Sequence, residues 1–186
     1  MVMRRCTWAY NDELKKYHDE VWGKPQHDER MLYKMLILEG LQAGLSWDLI
    51  LRKEDAYAQA LDDFDYVKIS LYDEEKYNEL METPILIKNK LKMKSIITNA
   101  KAFIKVQEEY GSFDEYIWSY VDKKQIIHSY EKSSDVPSFD ELSTQISKDL
   151  KKKGFRFVGP TIIYSYLQAI GIYNDHEIEC AFYKNI

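Results

Sequence analysis

Cysteine is almost missing from this 186-residue chain, which has only Cys6 and Cys180. Long apolar runs are missing too. No stretch approaches the roughly 18 apolar residues of a membrane span, and the two arginines near the start precede no apolar run of signal-peptide length. The chain therefore reads as cytoplasmic, with no membrane partner. In that compartment two cysteines do not make a structural disulfide, which leaves metal binding or plain burial. Glycine and proline are scarce, at seven and four, so few turns interrupt the chain. Excess positive charge is also lacking. A formal net charge of −5 excludes a strongly basic nucleic-acid coat and confines any DNA contact to a local patch.

What is present is helical periodicity. Met31, Leu32, Met35 and Leu36 make one apolar stripe, Ile96, Ile97, Ala100, Phe103 and Ile104 a second, and Ile162, Ile163, Tyr166, Leu167 and Ile170 a third. The phrase SFDE occurs at Ser112 to Glu115 and again at Ser138 to Glu141, and each copy has the pattern of a capping box at a helix start. No segment alternates with period two. The fold expected is all-α, a single helical domain over residues 1–186 that is long enough to bury a core without staples. The stretch from Ser129 to Ser138, with its serines, acids and Pro137, reads as a loop between helices.

Each cysteine has a histidine near it. His176 lies four positions before Cys180, on one face if that segment is helical, and Cys6 is followed by His18 in YHDEVWG. Together they have the composition of a tetrahedral Cys2His2 metal site; spacing alone leaves open buried thiols with surface histidines. His27 and His128 have no such company and are expected at the surface. The N-terminal third gathers rings at Trp8, Tyr17, Trp22 and Trp47, with Glu39 among them in LILEGLQAGLSW. Tryptophans mostly fill cores and helical glutamates mostly face water. Glu39, however, stands between Leu36, Ile37, Leu38 and Leu41 and is carried inward, where a carboxylate calls for a ligand, a proton or a donor.

The segments RCTWAY, YHDEVWG, LILEGLQAGLSW, IKNKLKMKSIITNAKAF and KKKGFRFVGPTIIYSYLQAIGIYNDH, with the final cysteine, make the chain similar over nearly its whole length to the DNA-3-methyladenine glycosylase I family. The resemblance implies a helix-hairpin-helix DNA repair fold acting as a monomer on alkylated double-stranded DNA, with free 3-methyladenine as product of N-glycosidic hydrolysis. It implies one structural zinc ion per chain, Zn2+, held by Cys6, His18, His176 and Cys180 and fastening the end of the chain to its beginning. Trp8, Tyr17, Trp22, Glu39 and Trp47 become the base pocket, with Glu39 the catalytic group and recognition its first role. Indole faces attract the cationic alkylated base.

The hairpin is expected at GFRFVGP, from Gly154 to Pro160, before a helix from Thr161. There Gly154, Gly159, Lys153 and Arg156 are candidate DNA contacts, since amides at a helix start receive a phosphate. Lys151 and Lys152 add charge, although cations at a helix end also complement its dipole. Gln42 and Leu45, close after Glu39, are candidates to fill the gap left by an extruded nucleotide, Leu45 as apolar wedge or else as core. Three departures stand out. Asn174 occupies the place where many related glycosylases carry a catalytic aspartate, with Asp175 beside it, and Pro84 and Pro160 stand in turns where the family more often has other residues. Two other functions compete: a non-catalytic DNA-damage binding module, and a zinc hydrolase, which needs an open coordination position that four protein ligands do not leave.

Overall fold

The computed structural model describes residues 3–183. Among them run nine α-helices: α1 Asp12–Glu20, α2 Glu29–Gln42, α3 Trp47–Ala60, α4 Tyr66–Ser70, α5 Glu74–Glu82, α6 Lys90–Tyr110, α7 Phe113–Ser119, α8 Glu141–Lys152 and α9 Pro160–Ala169. The predominantly helical class is as expected. A short parallel ladder, with β1 Ile126–Ile127 against β2 Tyr173–Asn174, adds the strand pairing that periodicity does not reveal, because two residues cannot show a period of two. No described helix is long and apolar enough to cross a membrane.

α2 is the axis of the core. Leu32, Tyr33, Met35, Leu36, Ile37, Leu38 and Leu41 are all buried, so the helix is apolar nearly all round and is packed on several sides, by α3, α6, α7 and α9. Gly40 keeps one of those sides open. A Cβ there would stand 3.3 Å from Cβ of Phe157, so the missing side chain admits the segment between α8 and α9 against α2.

Helix starts follow local chemistry. Ser112 accepts the Glu115 amide at 2.9 Å, as the first SFDE predicts. The second SFDE does not cap: α8 begins two residues later in register, with Asp140 accepting the Ser143 amide at 2.7 Å and the Ser143 hydroxyl accepting the Asp140 amide at 2.9 Å. Tyr173 donates to the other Asp140 oxygen at 2.5 Å, which favours Asp140 over Ser138 as the cap. Replacing Asp140 by alanine is therefore expected to cost about 1–2 kcal/mol, and Ser138→Ala less than about 0.5 kcal/mol; denaturant unfolding of both variants checks the assignment. Pro160 is the first residue of α9, one before the expected start, where its missing amide has no helical partner. Pro84 lies in the turn between α5 and α6. The stretch from Ser129 to Ser138 is mostly irregular, with a 3-10 turn at Ser133–Asp135.

Candidate active site

Glu39 lies in the last turn of α2 and is 4% exposed. Burial pushes its carboxyl up to about 8, and nothing beside it counters the effect. It lines a cavity of about 480 Å³ together with Trp8, Tyr17, Trp22 and Trp47. Trp8 and Trp22 meet edge to face at 5.0 Å, and Tyr17 and Trp47 lie tilted to each other at 5.1 Å. Trp47 Nε1 is buried without a hydrogen-bond partner, the condition of a donor that waits for a ligand or water. Trp118, the remaining tryptophan, stands elsewhere and donates to the Gln26 carbonyl.

Sequence reasoning missed Ser165, Gln168 and Asp175 on the same cavity. The first two are three apart on α9 and share a face, a signal that the third apolar stripe concealed. Asp175 is buried and fully bonded. Its Oδ1 lies 2.6 Å from His128 Nδ1, and its Oδ2 accepts from Tyr164 and Gln168 at 2.8 Å each. His128 is thus not the free surface residue expected. β1 carries it beside β2, where its amide donates to the Asn174 carbonyl, and the Asp175 carboxylate raises its pKa. His27 is at the surface, 2.7 Å from Asp114.

Behind the tryptophans the ligand atoms of Cys6, His18 and Cys180 all lie within 4.8 Å of one another, and all three residues are buried. The ring of His176 stands 4.8 Å from that of His18. The segment from His176 to Cys180 is not helical, as a one-face reading of the spacing expects; it leaves β2 and turns back, and the turn achieves the approach. Each imidazole has one nitrogen fixed by an oxygen, His18 Nδ1 by Asp19 at 2.9 Å and His176 Nδ1 by Asn174 at 2.8 Å. His176 Nε2 is buried with no partner. Burial and the neighbouring His18 push His176 down to about 4, leaving the neutral imidazole that a metal takes as ligand. Cys6 and His18 hold the Cys180 thiol below its ordinary range, while Cys180 and burial push Cys6 up. Two thiols, one of them more acidic than usual, and the oriented imidazole of His18 fit a metal ion, with the orphaned nitrogen of His176 outside that close group of three. Trp22 packs on His176 at 4.6 Å and Trp8 on His18 at 5.3 Å, so cavity wall and cluster are one packed unit.

Gln42 ends α2, and the next turn folds on itself: Gln42 Nε2 donates to the Leu45 carbonyl and the Leu45 amide to the Gln42 carbonyl, both at 2.6 Å. Gly44, at φ +76°, makes that turn. Leu45 is half-buried and packed on the core edge. Between α8 and α9, Gly154 has φ +96° and Phe157 φ +55°, and Gly159 stands at the cap of α9 without a side chain to occupy the first amides. Arg156 is exposed, as are Lys151 and Lys152. Lys153 is not a free cation: its ammonium lies 3.0 Å from Glu109 and from the Tyr110 hydroxyl.

A family model described as methyladenine glycosylase matches residues 8–184. The chain belongs to this family. The DNA-3-methyladenine glycosylase 1 of Escherichia coli (strain K12) is 38% identical over 97% of this chain and 97% of its own length. A solved structure of a tyrosine-to-phenylalanine variant of 3-methyladenine DNA glycosylase I, in complex with 3-methyladenine, matches with a TM-score of 0.92 at 38% identity, covering 96% of this chain and 97% of that one. The 3-methyladenine DNA glycosylase I of Staphylococcus aureus matches with the same TM-score and identity over 97% of each chain. In this methyladenine glycosylase family member a wider depression of about 730 Å³ runs along α8 from Tyr120 to Lys152, but none of the acids lining it is buried. The chemistry is concentrated around Glu39.

Proposed function

We propose that this chain is a DNA-3-methyladenine glycosylase of base excision repair, which turns an alkylated adenine out of duplex DNA and hydrolyses its N-glycosidic bond. The observation that carries the reading is Glu39, a buried carboxyl with no protein partner in a cavity walled by indole and phenol rings. An alkylated adenine in DNA is cationic. When its glycosidic bond breaks, the bonding electrons move into the ring and the base leaves neutral, while water adds to the sugar C1′ and gives up a proton. Such a leaving group needs little acid catalysis. It needs a site that prefers the cation.

Glu39 supports that preference. A unit charge about 4 Å away at an effective dielectric near 20 is worth roughly 4 kcal/mol before desolvation is subtracted, and the carboxylate can accept from the exocyclic amino edge. Stacking on an aromatic ring contributes about 1–3 kcal/mol for each contact. An uncharged adenine brings no charge that favours the carboxylate over the protonated carboxyl, so this stabilisation goes to the damaged base and not to the normal one. Trp47 Nε1–H is free to donate to an acceptor on the base.

Cys6, His18, His176 and Cys180 would hold one structural zinc ion, since two thiolates and two imidazoles complete a tetrahedron. Bound there, the ion supplies a cross-link and no reaction chemistry. Asn174 serves that site through His176, which accounts for an asparagine where related enzymes carry an acid. We read α8, the hairpin and α9 as the helix-hairpin-helix, meeting phosphate through Gly154, Arg156, Gly159 and the first amides of α9, in a single-domain monomer of the cytoplasm. Gln42 and Leu45 fill the space of the extruded nucleotide.

Incubation with methylated duplex DNA is expected to release 3-methyladenine. Tight binding to that DNA with every base retained would instead make the chain a damage-binding module. Flipping costs a few kcal/mol, and if the wedge offsets one third of it, Leu45→Ala should slow release from duplex DNA about tenfold. Release from single-stranded DNA should stay near the parent rate, and an unchanged duplex rate in a stable variant rejects the wedge.

A further inference from the structure

α6 carries two buried polar side chains that neither the cavity nor the metal cluster uses. Lys92 is 6% exposed and Asn99 2%. They are seven positions apart, two helical turns, and so share one face about 10 Å apart along the axis. The Lys92 ammonium donates to the Leu41 carbonyl at 2.8 Å and the Ala43 carbonyl at 2.5 Å. These acceptors lie at the C-terminal end of α2, which has no basic residue in its own last turn and whose final carbonyls lack helical partners. Asn99 makes a two-way pair with the backbone of Arg156: its Nδ2 donates to the Arg156 carbonyl at 3.0 Å, and its Oδ1 accepts the Arg156 amide at 2.8 Å.

Each of these side chains thus grips the backbone of a different loop, one the turn that carries Gln42 and Leu45, the other the hairpin that carries Arg156. The hairpin also meets α2 directly, where Phe157 stands against the bare face of Gly40. Neither Lys92 nor Asn99 lines the base cavity. A lysine with an alkyl chain buried and its charge on two helix-end carbonyls is an expensive way to fill space, and a purely apolar residue would pack there without a desolvation cost.

We infer that Lys92 and Asn99 are positioning residues, and that α6 is the spacer that holds the nucleotide-replacing turn and the phosphate-gripping hairpin at a fixed separation on DNA. This rests on the reading that those two loops meet the duplex. The wedge enters the helix at a distance from the gripped phosphate that α6 sets, and the two anchors fail in different ways. Without Lys92 the turn after α2 loses its anchor while the hairpin stays. Without Asn99 the hairpin loosens while the turn stays.

The test compares Lys92→Met and Asn99→Ala with the parent in the intact chain. Four quantities are read: affinity for free 3-methyladenine, release from methylated single strands, release from methylated duplex, and affinity for undamaged duplex. A displacement of about 1 Å can cost on the order of 10²-fold in rate. Lys92→Met is accordingly expected to lose that much in duplex release, in kcat, with undamaged-duplex affinity and free-base affinity as in the parent. Asn99→Ala is expected to weaken undamaged-duplex binding about tenfold and to flatten its salt dependence, with free-base affinity unchanged. Lys92→Arg, which keeps a cationic donor, should recover part of the duplex rate. If Lys92→Met does not fold, Lys92→Gln, whose amide still reaches one carbonyl, is read on the same four quantities. Duplex behaviour equal to the parent in both variants overturns the inference, and so does an equal loss on all four quantities, the mark of general destabilisation. A parent that neither binds duplex nor releases base would instead defeat the functional reading on which it rests.

Discussion

Glu39→Gln is expected to make the ligand-free protein more stable at alkaline pH and to make it fail as an enzyme. The carboxyl is raised from an ordinary 4.5 to about 8 in the folded chain. Between those values the folded state holds a proton that the unfolded state has released, so this group's contribution is fully favourable below about pH 4.5 and is lost as pH rises towards 8. Above 8 the buried charge costs on the order of 5 kcal/mol. Glutamine has no proton to lose, so its stability should not fall across that window, and the variant should unfold at higher temperature than the parent at pH 8.5 but not at pH 4.5. Without the carboxylate, which accepts from the amino edge of the free base as well as of the nucleotide, binding of free 3-methyladenine and release from DNA should fall together, the second more because only the base still joined to DNA carries the charge. Thermal unfolding at the two pH values, with and without 3-methyladenine, reads both effects. A variant with parental free-base affinity and a collapsed rate would reassign Glu39 to activation of water.

Removing the metal is expected to have the larger effect on stability. Structural zinc contributes about 10–16 kcal/mol of apparent binding energy in small peptides; retaining even 4 kcal/mol of that in a chain of this length corresponds to a drop in Tm of about 8–16 °C. Metal analysis should find one zinc per chain, and Cys180→Ser or His176→Ala should lower both zinc content and Tm. Because Trp22 and Trp8 pack directly on His176 and His18, chelation should also change tryptophan fluorescence and weaken binding of 3-methyladenine. Ligands must be deprotonated to bind, so the loss should come more readily as pH falls. Metal-free protein with parental Tm, or a disulfide between Cys6 and Cys180, would defeat the assignment.

The helices of the core were legible because α2, α6 and α9 repeat apolar residues at a spacing that only a helix buries on one side. Glu39 was legible for the same reason, as the one acid inside such a repeat. SFDE misled at its second copy because DELS, overlapping it, satisfies the same reciprocal pattern, and only the distant Tyr173 favours Asp140. The spacing of His176 and Cys180 is identical on a helix and in a turn, so the pairing could be suspected while its path could not. His128 and Asp175 are 47 positions apart and meet through a two-residue ladder, which leaves no local trace. Lys92 reads as one of four lysines in IKNKLKMK, a solvated run by composition; its burial follows from helical phase, since it shares a face with Ile96, Asn99 and Phe103.

The cluster joins His18 to Cys180 across 162 positions. Chains grow from the N-terminus at about 5–20 residues per second, so after His18 is made roughly 8–30 s pass before the Cys180 thiol exists. For most of that interval Trp8 has His18 to pack on, but His176, which backs Trp22, and Asp175 of the cavity wall are not yet made. Until Cys180 follows, Cys6 and His18 are without the third member of their cluster. A ribosome that stalls before residue 180 therefore leaves a chain that has the rings around Glu39 but lacks one of the two thiols of the cluster behind them.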